Sequence, residues 1–185
     1  MTVPASVEPS RTKTSRETAT GPYAYRMGLL GAVAGSPSSY RLMLKWHRLI
    51  SPIERLLRRA SRGRLGVLEL AGLPSLNLTV PGRKSGMPRT VTVQYVADDP
   101  SLLVVGSNWG LAKHPEWARN LAATDHARID RNGHRETVTV ELLTGAERQR
   151  AWRTILDFWP NYALAQKRAG SRRFQIFALR PTAGA

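Results

Sequence analysis

The 185-residue chain contains no cysteine. Disulfide frameworks, zinc–thiolate sites, cysteine-ligated iron–sulfur clusters and thiol nucleophiles are therefore excluded, while the redox compartment stays open. Acids are scarce: 13 Asp and Glu stand against 28 Lys and Arg, for a net charge of +15. Such an imbalance predicts attraction to something anionic, whether nucleic acid, an acidic membrane surface or a polyanionic small molecule. No apolar run approaches the roughly 18 residues of a spanning helix. The longest, over 27–35, follows Arg26 and ends in Ala32-Val33-Ala34, so it loosely imitates a secretion signal. Three glycines dilute it, and the chain is read as cytoplasmic, with Met1 and Met27 both open as the true start. Internal repeats are absent.

Hydrolytic signatures are missing too. There is no Gly-x-Ser-x-Gly elbow and no Walker spacing. His47, His114, His126 and His134 lack metal-ligand spacing, so no metal site is expected, and the 13 acids form no convincing pair. An enzyme without nucleophiles or metal ligands can still work if a cofactor carries the reaction and the protein orients it.

What is present fits one globular domain: 42% of the residues are hydrophobic and the mean hydropathy is −0.32. Residues 1–26, rich in Ser, Thr, Pro and Ala, read as a disordered leader. Residues 27–64 form a basic helical segment, with a helix over 40–60 interrupted by Pro52. Eight Arg or Lys and one acid over 40–66 suit either an anionic membrane surface, on the inner face of the cell membrane, or a solvated helix face. From residue 65 to 181 the period turns to two. Strands are expected over 76–80, 90–96, 102–105, 127–130, 136–142 and 174–179. A helix is expected over 114–124, opened by Pro115, and another carries Ala151, Ile155 and Trp159 up to a stop at Pro160. Asn132-Gly133 marks a tight hairpin. The order predicts an α+β fold, a small antiparallel barrel of about six strands with flanking helices.

Three clusters carry chemistry. Gly82-Arg83-Lys84-Ser85-Gly86 is a hairpin tip with Arg89 on the next strand, and no acid occurs between residues 70 and 97. Amides, a guanidinium and an ammonium converging on a turn make an anion cradle; read bare, the same residues equally suit a solvated tip. Gly106-Ser107-Asn108-Trp109-Gly110 links a strand to Lys113-His114-Pro115-Glu116-Trp117. Backbone near its glycines can approach a flat ligand closely. Finally, Phe158-Trp159-Pro160-Asn161-Tyr162 can wall a pocket and offer a phenol, or simply pack the core.

Taken together, residues 78–90, 105–110, 113–117, Asn120-Leu121, 159–162 and 177–181 resemble the deazaflavin-dependent nitroreductase family of actinobacteria, which binds coenzyme F420. The resemblance implies a split β-barrel in which Arg83, Lys84, Ser85 and Arg89 hold the phosphate and acidic tail of the coenzyme. It implies that Ser107, Asn108, Trp109, Gly110, Lys113 and His114 surround the deazaflavin ring, while Trp117 and Asn120 fix the loop. Nitro-reducing members carry tyrosines three apart over the ring; here those substrate-pocket positions read Trp159, Tyr162 and Ala165, so coenzyme binding is implied and nitroimidazole reduction is not. The expected reaction is hydride transfer from reduced F420 to a small acceptor (a quinone, enone or nitroaromatic), with Tyr162 as proton or hydrogen-bond donor. FMN in place of F420, and a non-catalytic binder of anionic lipid or nucleic acid, are the alternatives. A monomer and a homodimer are both compatible.

Overall fold

The computed structural model describes residues 73–182. The leader over 1–26 and the basic segment over 27–64 with its 40–60 helix lie outside the described residues.

Six strands form one closed antiparallel barrel in the order β1-β2-β3-β6-β5-β4. They are β1 (Ser75–Pro81), β2 (Pro88–Asp98), β3 (Ser101–Val105), β4 (His126–Arg131), β5 (His134–Leu142) and β6 (Ile176–Pro181). Closure removes the unpaired edges that an open sheet of this size would present. Period-two alternation fills the interior: Leu76, Leu78, Val80, Val93, Tyr95, Ile129, Val138 and Phe177 meet in one buried cluster. Register is set accordingly, with Leu78 opposite Val91 in β2 and Ile129 in β4. A slip of one residue would turn this whole set outward.

β3 and β6 break the alternation, because both of their faces are covered. All five residues of β3 are buried. Leu103, Val105, Ile176 and Ala178 point away from the barrel into a second cluster under helices α2 (Gly145–Phe158) and α3 (Asn161–Arg168). Ala151 and Ile155, four apart on α2, supply the helical side of that layer. Each large apolar side chain buried there contributes about 1.5–3 kcal/mol relative to exposure.

A short helix, α1 (Glu116–Leu121), sets Ala118 and Leu121 into the barrel cluster, and Trp117 packs against Phe177 with ring centroids 6.4 Å apart. α1 therefore stoppers the barrel. It is shorter than the 114–124 helix expected, and Pro115 stands just before it with extended backbone. A larger departure is α3, where the sequence suggested that helical structure ends at Pro160. Pro160 does end α2, yet it also starts α3 as its cap residue, a position where its missing N–H costs nothing.

Candidate functional site

The β1–β2 turn is built by two glycines with different tasks. Gly82 donates its N–H to the Met87 carbonyl at 2.9 Å and accepts from the Ser85 and Gly86 amides. A Cβ on Gly82 would lie 2.9 Å from Ser85 Oγ and 3.3 Å from the Met87 carbonyl oxygen, so a side chain there would require Ser85 to rotate and the turn to give slightly. Gly86 supplies the left-handed residue, φ +65°. The turn leans over a cleft of about 500 Å³ lined by Arg83, Lys84, Ser85 and Arg89 on one side and Glu116, Trp117 and Asn120 of α1 on the other. The four residues expected to act together thus share one cleft.

No acid neutralises this turn locally, but the tertiary structure brings one to it. Glu116 reaches across from α1, and Arg83 Nη1 donates to its Oε2 at 2.6 Å and to Asn120 Oδ1 at 3.0 Å. The Arg83 amide also donates to Asn120 Oδ1 at 3.3 Å. Hydrogen bonds from Arg83 and then Arg119 hold the Glu116 carboxyl below the usual carboxylate range, against the opposing effect of burial. Lys84 and Arg89 have no acidic partner among the described residues. Two unneutralised cations, a third cation on a swappable carboxylate, and a hydroxyl make a donor set suited to phosphate and carboxylate groups.

The second cluster forms a loop at the entrance to α1. Asn108 and Trp109 adopt left-handed backbone in a one-turn 3₁₀ segment, Asn108–Gly110, and Gly110 follows at φ +73°. Asn108 Nδ2 donates to the Lys113 carbonyl at 2.8 Å, closing the loop on itself. At Gly110 the backbone touches α3 so closely that a Cβ would fall 2.4 Å from the Ala165 carbonyl oxygen. Burial, followed by the charges of Arg172 and Arg119, holds the His114 imidazole below its ordinary pKa.

Trp159, Tyr162 and Ala165 are not brought to the cleft. All three lie in the outer core cluster, 4–7% exposed, behind the loop. Tyr162 Oη donates to Gln94 Oε1 at 3.3 Å, and burial pushes its pKa up. A phenol so placed stays protonated at neutral pH and spends its hydrogen on Gln94.

Two residues of this region escaped the sequence reading. Gln94, on β2, is Tyr162's acceptor, and its own Nε2 is buried without a partner. Arg172 braces the 106–114 loop from outside it. It belongs to a stretch with Arg168 and Arg173, and nothing local distinguishes it from them.

Comparison with known proteins decides what this arrangement belongs to. Residues 53–181 match the model of the F420H(2)-dependent quinone reductase family. The chain belongs to that family. Its class is oxidoreductase, and the coenzyme of the family is F420. Among relatives, the Mycobacterium tuberculosis protein Rv3178, named for the same activity, is 30% identical over 118 residues, covering 64% of this chain and 98% of that one. The F420H(2)-dependent quinone reductase Rv1261c of the same organism is 34% identical over 83 residues, 45% of this chain and 56% of that one. The solved F420-H2 dependent reductase FDR-A is 28% identical with a TM-score of 0.53, covering 58% of this chain and 94% of that structure. The six-stranded split-barrel expectation agrees with both the topology and this neighbour.

Proposed function

We propose that this chain binds F420H2 with Arg83, Lys84, Ser85 and Arg89 on its anionic portion and the loop of Ser107, Asn108, Trp109, Gly110, Lys113 and His114 about its ring, and reduces a quinone. The observation that carries this reading is the cleft in which Lys84 and Arg89 stand without acidic partners among the described residues, beside the Arg83–Glu116 pair. When bound, F420H2 supplies a hydride to an electrophilic acceptor carbon. The chain's own work is placement. Charge-assisted contacts of about 1.5–3 kcal/mol each, from three cations, supply much of the roughly 8 kcal/mol that micromolar retention of a polyanion requires. Asn120 keeps Arg83 aimed into the cleft through its backbone and its guanidinium. The rigid 106–114 backbone sets the ring's height, because hydride donors and acceptors must come within about 3–3.5 Å.

Tyr162 enters this reading as a support for the site. Its hydrogen is held on Gln94 Oε1, so in this arrangement the proton that completes reduction of a quinone comes from water in the open cleft. Enones and nitroaromatics are alternative acceptors of the same hydride.

The test is a fluorescence titration of the purified protein with F420, FMN and NADPH, followed by quinone-dependent oxidation of F420H2. Saturable F420 binding that weakens at least tenfold in Lys84→Glu, on the scale of one lost charge-assisted contact, is the expected result. A preference for FMN, or undiminished F420 binding by Lys84→Glu, overturns the assignment. Binding of RNA or anionic liposomes with no response to F420 favours the non-catalytic reading.

A further inference from the structure

One guanidinium organises the whole loop between β3 and α1. Arg172 Nε donates to the Leu111 carbonyl at 2.8 Å, Nη1 to the Gly106 carbonyl at 3.0 Å, and Nη2 to the Ser107 carbonyl at 2.6 Å. Nη1 also stands 3.4 Å from His114 Nδ1. The guanidinium carbon stands over the Phe174 ring, 4.8 Å from its centroid. Phe174 is itself fully buried in the outer core. The contacts bracket the segment that needs bracing. Gly106 and Ser107 precede the left-handed Asn108-Trp109-Gly110 run, and Leu111 follows it. Three successive residues at positive φ are costly for a chain and persist only when the surroundings over-determine them. Among the described residues no carboxylate pairs with Arg172. Its half-buried charge is met by carbonyl dipoles of the loop and by the Phe174 ring.

We propose that Arg172 is the positioning residue of the coenzyme loop, acting through the Gly106, Ser107 and Leu111 carbonyls rather than by touching coenzyme or acceptor. The inference rests on the reading that this loop surrounds the ring of F420. The planar fork is what the geometry uses: its Nε, Nη1 and Nη2 groups each reach a different carbonyl oxygen, with the Phe174 ring packed against the guanidinium carbon. A lysine keeps the charge but has neither the plane nor the span.

The experiment compares Arg172→Ala, Arg172→Lys and the exposed neighbour Arg173→Ala, which removes the same charge one residue along. Two quantities are read: amide hydrogen exchange across residues 106–114 without coenzyme, and the F420 dissociation constant. Arg172→Ala is expected to speed exchange in 106–114 while β1, β2 and β6 stay protected, and to raise the dissociation constant about tenfold or more, the scale of one lost hydrogen bond to a charged group. Arg172→Lys, the variant that keeps the charge and folds if Arg172→Ala does not, should recover little of either, and Arg173→Ala should match wild type. Loop exchange and F420 affinity within twofold of wild type in Arg172→Lys overturn the proposal, as does a loosened loop with unchanged affinity. Wild-type protein that fails to bind F420 overturns the coenzyme reading and this proposal with it. Wild-type binding that Arg172→Ala leaves intact overturns this proposal alone.

Discussion

Arg83 on the β1–β2 turn and Glu116 at the first turn of α1 meet at 2.6 Å across the mouth of the basic cleft. The acid is two-thirds exposed, whereas the Arg83 side chain is 22% exposed. An exposed pair adds little to stability, yet its carboxylate competes directly with any anion that Arg83 would hold. Glu116→Gln keeps the shape and removes the competing charge while Asn120 still orients Arg83. F420 affinity is therefore expected to rise by about threefold at low salt, the gain shrinking as ionic strength screens the cleft. Titrations of wild type and variant at two salt concentrations check it; weaker binding by Glu116→Gln would mean that the acid positions Arg83 rather than competing for it.

Gly110 and Gly86 both have positive φ and differ in what surrounds them. At Gly86 an added Cβ meets nothing within 4 Å, so Gly86→Ala costs only the left-handed strain, about 1–2 kcal/mol. At Gly110 the added Cβ lies 2.4 Å from the Ala165 carbonyl oxygen, a backbone atom of α3 that cannot rotate away. Gly110→Ala should lose about 2–5 kcal/mol, strain and overpacking together. Denaturant unfolding of the two variants side by side tests the ordering, and equal losses would refute the close approach of loop to helix.

How much of this was legible in the sequence depended on range. All six strands were visible along the sequence, because each strand's pattern is local, although the last one runs over Ile176–Pro181 rather than 174–179. The order β1-β2-β3-β6-β5-β4 in the barrel comes from the tertiary structure. β3 and β6 showed as short continuous apolar runs, and their two-sided burial is explained only by α2 and α3. The helix after Pro160 was lost, since a proline ending one helix looks the same as a proline beginning another. At the site, Lys84 and Arg89 could be placed from the turn itself. Glu116 stood in plain view within Lys113-His114-Pro115-Glu116-Trp117, but its pairing with Arg83, 33 residues away, is a product of barrel closure. Tyr162 was expected to wall the acceptor pocket; the structure shows it buried in the outer core with its hydroxyl on Gln94 Oε1, a contact 68 residues away in sequence that no local signal announces.

His114 makes the loop sensitive to acid. Its native pKa is held below the ordinary value of 6.5, first by burial and then by Arg172 and Arg119. Between the depressed native value and 6.5, the unfolded chain binds a proton that the native chain refuses. The stability this group contributes is intact above pH 6.5 and falls as pH drops through that window. Protonation also places a cation beside the Arg172 guanidinium, 3.4 Å from Nδ1. His114→Gln should flatten the stability-versus-pH curve between pH 5 and 7, a range set by the ordinary imidazole value. Urea titrations at half-unit pH steps measure this slope, and an identical slope in the variant would sink the assignment.

Tyr162 and Gln94 provide the last test, because their hydrogen bond separates a core role from a catalytic one. Tyr162→Phe removes a donor from a 7%-exposed site and leaves Gln94 Oε1 unpaired beside an Nε2 that already lacks a partner. The expected cost is about 1–3 kcal/mol, the penalty of an unsatisfied buried acceptor. Replacing both partners removes the penalty, so Tyr162→Phe combined with Gln94→Leu should recover much of the loss. F420 affinity should stay at the wild-type value in both variants, and turnover should fall by less than the roughly hundredfold that marks removal of a general acid. A larger fall in turnover with coenzyme affinity and folding stability preserved would place the Tyr162 hydroxyl at the reacting atoms after all, and would require α3 to release it from Gln94 during the reaction.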